Sequence, residues 1–120
     1  MEKANEKAGT LPAAPDPLAG GPVVLADLVE TQPAAVVSRT LLKKPTGTIT
    51  LFAFDGGQAL SEHTAPFDAL AQVLAGEAQV VIGGTPHRVV AGRSILLPAG
   101  IPHAVNALKP FKMLLTMIRN

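Results

Sequence analysis

From Ala35 onward the chain breaks into short runs of Val, Ile, Leu and Thr, separated by Lys44-Pro45, Gly56-Gly57, Gly83-Gly84 and Pro98-Ala99-Gly100. Branched and aliphatic runs of this length fit extended strands, and the Gly and Pro pairs between them supply the turns. This punctuation restricts the chain to an all-β domain. Strands are expected at Val36–Leu42, Gly47–Phe54, Ala69–Leu74, Glu77–Ile82, His87–Val90, Ser94–Leu97, His103–Ala107 and Phe111–Ile118. Such a count suits a double-sheet jelly roll, the double-stranded β-helix arrangement. Gly83-Gly84 after Val80-Val81-Ile82 provides the positive backbone angles a tight hairpin needs.

Two strands are apolar on both faces. In the last, Phe111, Met113, Leu115 and Met117 alternate with Leu114 and Ile118; in the second, Phe52 and Phe54 alternate with Ile49, Leu51 and Ala53. A small solvated barrel does not normally expose that much apolar surface, so a homodimer is expected to cover the excess.

The 120 residues suffice for one domain with a real core and are too few for two. Gly9 to Pro22 holds four prolines and three glycines among small residues, so residues 1–22 read as a flexible N-terminal arm before a single domain over residues 23–120. Val23 to Val29 reads as either one short helical turn or an edge strand.

Ten Lys and Arg against nine Asp and Glu leave a formal charge of +1, without basic clusters interleaved with aromatic residues. Nucleic acid is therefore not an expected partner. The absence of Cys excludes disulfides, a thiol nucleophile and thiolate metal sites, leaving nitrogen and oxygen donors for any metal. Met1 to Pro22 carries Glu2, Lys3, Glu6 and Lys7 and lacks the apolar core of a signal peptide, and no later apolar run approaches membrane-spanning length. A soluble cytoplasmic protein without a membrane partner is the expectation.

Between the strands lies a spaced set of residues. Gly57 is followed after five residues by His63, then by Gly76; fifteen residues further on come Gly92, Pro98, Gly100 and His103. This spacing resembles the two motifs of the cupin family: Gly, five residues, His-x-His, three or four residues, Glu, six residues, Gly; and Gly, five residues, Pro-x-Gly, two residues, His, three residues, Asn. The wider phrases Ser61 to Leu70, Pro98 to Val105 and Phe111 to Leu115 look like those of small single-domain bacterial cupins with an RmlC-like jelly roll. The likeness covers roughly Pro33 to Arg119.

In the complete family pattern three His and one Glu converge on a divalent metal inside the barrel. Here Ala65 stands at the second His position, Ala69 at the Glu position, and Asn106 falls one residue short of the Asn position. The resemblance therefore carries over only His63 and His103 as metal ligands, for Fe, Mn, Ni or Zn. Two imidazoles with a carboxylate would make a facial triad with open positions. Asp68 is the candidate oxygen donor and Gln72 a weaker one, whereas Glu62, next to His63 on an extended strand, should point the other way. Glu62 and Asp68 also read as solvated or turn-capping carboxylates, and His87 as an exposed hairpin residue.

Without a metal, the two His become hydrogen-bonded residues lining an apolar pocket with Ala65, Phe67, Ala69, Val73 and Val105. Such a pocket suits a small, mostly apolar molecule with one polar group. Four functions remain open: a small-molecule-binding or sensing domain, a metal-dependent dioxygenase- or isomerase-like enzyme, metal-free acid–base catalysis by one His, and a module that mainly dimerises or associates with another protein.

Overall fold

The computed structural model describes Leu18 and residues 20–119. The arm expected over residues 1–22 lies, apart from Leu18 and residues 20–22, outside the described residues. A 3-10 helix at Leu25–Leu28 precedes nine strands: β1 (Val36–Lys44), β2 (Gly47–Phe54), β3 (Ala59–His63), β4 (Asp68–Ala75), β5 (Glu77–Ile82), β6 (Thr85–Val90), β7 (Ser94–Leu97), β8 (His103–Asn106) and β9 (Phe111–Ile118). They form a five-stranded sheet, ordered β1-β2-β9-β4-β7, and a four-stranded sheet, ordered β3-β8-β5-β6. Every pairing is antiparallel, as a jelly roll requires.

Strands β2, β5, β7 and β9 run over the expected residues end to end. β3 is additional to expectation: Ala59–His63 is short and largely exposed, so it carries little apolar alternation. The β5–β6 hairpin closes on Gly83 and Gly84 with φ of 56° and 84°, between the paired residues Ile82 and Thr85. Two successive positive φ angles match the twist of the flanking strands, which fixes this register.

The sheets bury their facing sides in one cluster that includes Phe54, Val73, Val80, Val105, Phe111 and Met113. Phe54 and Phe111 are register partners on β2 and β9, and their rings stack at 4.4 Å and 12°. Leu60, Ile82, Leu115 and Met117 pack on this cluster while remaining partly accessible.

A second cluster lies on the outer face of the five-stranded sheet. Leu51 and Ala53 of β2 are fully covered there with Val29, and Leu25 and Leu28 of the 3-10 helix pack against them. Lys112 Nζ donates to the Ala26 carbonyl at 2.7 Å and Arg39 to the Leu28 carbonyl at 3.1 Å, pinning the segment. The N-terminal segment thus covers part of the second apolar face of β2 and β9 from within the chain.

Past this segment a row of residues crosses the whole sheet on the same face: Leu42, Ile49, Thr116, Leu70 and Leu96 are successive register partners from β1 to β7. Leu42, Leu70 and Leu96 in this row, and Ile118 beside it, are exposed. Among the described residues no helix is long and apolar enough to cross a membrane.

Candidate functional site

Strand β3 pairs with β8 through Ala59 and Asn106, Leu60 and Val105, and then His63 and His103. From Leu60 to His63 is three steps on β3 against two on β8, so β3 carries a bulge. Leu60 packs on the core, and simple alternation from it would turn Glu62 inward and His63 outward. The extra residue reverses that phase. His63 stands opposite His103, their ring centroids 4.4 Å apart at 66° in an edge-to-face arrangement.

His103 is 6% exposed and shares its inward phase with buried Val105 and Ala107. His63 is exposed at the rim. His63 Nδ1 lies 2.7 Å from the Ser61 carbonyl and His103 Nδ1 lies 3.2 Å from the Ile101 carbonyl. A carbonyl oxygen only accepts, so in both rings Nδ1–H donates and, in the neutral form, Nε2 keeps its lone pair. Both imidazoles are therefore held by their own strands with Nε2 free of these bonds.

Four segments close this end of the sandwich. The loop after His63 is tied where the Ala65 carbonyl accepts the Gly100 N–H at 2.8 Å, and the loop before His103 is tied where the Pro102 carbonyl accepts the Gly83 N–H at 2.8 Å. Arg119 N–H donates to the Thr46 carbonyl at 2.7 Å, drawing the end of β9 onto the β1–β2 turn.

The remaining expected site residues divide. Ala69, Val73 and Val105 are closed into the core cluster. Val73 pairs with Met113 beside Phe111, toward the packed end of the sandwich. Ala65 and Phe67 are half-buried, and the Arg119 guanidinium lies 5.3 Å from the Phe67 ring centroid. Glu62 and His87 are exposed.

The proposed oxygen donors do not join the His pair. Asp68 Oδ1 accepts the Ala99 N–H at 2.8 Å, so this carboxylate ties the loop before β8 to the start of β4. Gln72 alternates with buried Ala71 and Val73 and therefore takes the outer face with Leu70, as its odd spacing from Ala69 implies. Among the described residues no group of three or more His, Cys, Asp or Glu is placed to hold a metal ion. The donor set is two imidazoles, short of the three or more protein ligands of a transition-metal site.

Sequence reading missed the bulge and Arg119. The alternation Met113, Leu115, Met117, Arg119 would have put a cation in the inward phase at the end of β9, had the period been followed one residue past the apolar run. The other charged pair lies elsewhere: Arg88 Nε and Nη2 each donate to the Glu77 carboxylate at 2.9 Å, one from each nitrogen to each oxygen. That fork holds Glu77 below the usual carboxylate range.

A conserved Streptococcus pyogenes protein of unknown function has a structure similar to this one, with 32% identity, a TM-score of 0.80 and coverage of 98% of each chain. A cupin superfamily protein from Desulfitobacterium hafniense matches at 28% identity and a TM-score of 0.80, over 96% of this chain and all of its own. A cupin 2 conserved barrel domain protein from Leptotrichia buccalis is 43% identical with a TM-score of 0.76, over 78% of this chain and 46% of that one, so the match spans under half of that protein's length. No curated protein matches the chain. The Cupin domain family matches residues 50–118, more than half of the sequence and the stretch that holds His63, His103 and all of β3 to β9. With the two-sheet fold and the paired-His strands behind it, that match makes the chain a member of the cupin family.

Proposed function

We propose that the protein binds a small, mostly apolar molecule carrying one polar group at the end of the sandwich where His63 and His103 meet. The observation that carries this reading is the pair of imidazoles in edge-to-face contact, each anchored through Nδ1 to a main-chain carbonyl and each with Nε2 left for a ligand. Partly accessible Leu60, Ile82 and Met117 give the surroundings an apolar character. The test is a fragment screen read on the imidazole resonances of the two His, with His63→Ala and His103→Ala as controls. Fragments that shift those resonances in the wild type and lose affinity in both variants support the reading; a panel that leaves them unmoved defeats it.

A second reading, a metal-dependent enzyme of the dioxygenase or isomerase kind, is favoured by one detail. Metal-ligating His commonly donate their other ring N–H to a carbonyl, as both do here. His63 and His103 would supply two nitrogen ligands to Fe, Mn, Ni or Zn. Among the described residues no third protein donor joins them, and this stands against it.

The protein works as a homodimer in this reading. Support comes from the exposed row Leu42, Leu70 and Leu96 across the outer face of the five-stranded sheet, beyond the 3-10 helix.

A further inference from the structure

The end of the sandwich that holds the His pair also holds Arg119, whose guanidinium has no carboxylate partner among the described residues. Ala69 of β4 faces Met117 of β9, and both belong to the inward phase. Phe67 and Arg119 each lie two residues beyond that pair, and their side chains meet, with the guanidinium 5.3 Å from the ring centroid. Phe67 is four residues from His63 on the loop that the Ala65 carbonyl ties to Gly100, three residues before His103.

A guanidinium over a phenyl ring is held in place by its attraction to the ring, which leaves its in-plane N–H donors for other partners. Arg119 has no carboxylate partner among the described residues. The nearby acid, Asp68, accepts the Ala99 N–H through Oδ1 and makes no ion pair with Arg119. An exposed guanidinium that is positioned but unneutralised is a receptor for a planar anion, and a carboxylate matches its paired donors.

We infer that Arg119, held against Phe67, receives a carboxylate that is the one polar group of the ligand bound at His63 and His103. The inference rests on the His-pair reading and adds the chemical class: a small apolar carboxylic acid. Arg119 selects the acid over its neutral analogue.

Valerate and valeramide, equal in size and differing in charge, are the probes. Binding is followed by the imidazole resonances of His63 and His103 in the full chain, for wild type, Arg119→Gln, Arg119→Lys and Phe67→Leu. Wild type is expected to bind valerate roughly tenfold or more tightly than valeramide, since a hydrogen bond to a charged group is worth that factor. Arg119→Gln removes the preference, bringing valerate affinity down to that of valeramide, and Arg119→Lys keeps only part of it because a lysine lacks the planar fork. Phe67→Leu, which removes the platform and leaves the cation, weakens valerate selectively. Equal binding of the two probes by wild type, or a preference that survives Arg119→Gln, overturns the inference and leaves the His-pair pocket standing. Failure of both probes to move either imidazole overturns the inference and the pocket together.

Discussion

His63 faces His103 across β3 and β8 because β3 uses one residue more than its partner between Leu60 and His63. The bulge makes a rim imidazole and a buried imidazole neighbours at 4.4 Å, with main-chain carbonyls fixing both rings. No third His, Cys, Asp or Glu among the described residues completes a metal site with them. Protein purified without a His tag and then loaded with Fe, Mn, Ni or Zn should therefore hold metal weakly, lose it on dialysis against chelator, and show none in the His63→Ala, His103→Ala double variant. Elemental analysis reads all three. Near-stoichiometric metal that survives dialysis in wild type would turn the working reading to the metalloenzyme.

Gly76 turns β4 into β5 with φ of 75°, and a Cβ built there would fall on the Pro110 carbonyl and crowd Phe111. An L side chain in the left-handed region costs at least about 1 kcal/mol before any clash is counted. Backbone cannot yield as a flexible side chain does, so Gly76→Ala should destabilise by more than that. Urea unfolding measures it, and Gly84→Ala is the comparison: its φ of 84° brings the same conformational strain with nothing within 4 Å of the added carbon. Equal losses at the two positions would show that close approach to Pro110 is not what Gly76 serves.

The fold was legible where apolar alternation and Gly or Pro brackets coincide, as at Gly47–Phe54, Glu77–Ile82 and Phe111–Ile118. It was illegible at Ala59–His63, where Ser61 and Glu62 are exposed and the bulge breaks the period that reveals a strand. The 3-10 helix is a single turn, too short to show a helical period, yet it covers Leu51. Of the candidate site, the motif spacing singled out two His that the chain does bring together. What spacing does not encode is what a nearby acid is tied to: Asp68 reads as a ligand until its Oδ1 is seen to accept the Ala99 N–H. Arg119 escaped because its meaning lies in the ring of Phe67, 52 positions earlier in the chain.

Arg88 grips Glu77 with two hydrogen bonds, and this lowers the folded-state pKa of the carboxyl. A depressed acid contributes stability above its unfolded pKa and loses that contribution as the pH falls through the folded value. The pair lies at the surface, so the contribution is modest and weakened by salt. The stability difference between wild type and Arg88→Gln should be greatest near neutral pH at low ionic strength, and should vanish once the pH is below the folded pKa of Glu77. Urea midpoints across an acid series, with and without high salt, check both dependences. A difference that persists unchanged in acid would mean that Arg88 stabilises by packing alone.

Leu70 sits in the middle of the apolar row, between Thr116 of β9 and Leu96 of β7, on the sheet face whose Leu51 and Ala53 the 3-10 helix covers. At 38% exposed its side chain contributes little to the core, so replacing it should leave the fold intact. If this face closes a homodimer, Leu70→Lys places an ammonium between two apolar surfaces, where desolvation opposes association by several kcal/mol. Light scattering on the full chain should then give a dimer for wild type and a monomer for Leu70→Lys, while Lys43→Ala, one residue from the row but on the other face of β1, leaves the dimer unchanged. A wild-type monomer, or a Leu70→Lys dimer as tight as wild type, would remove this face as the contact between copies.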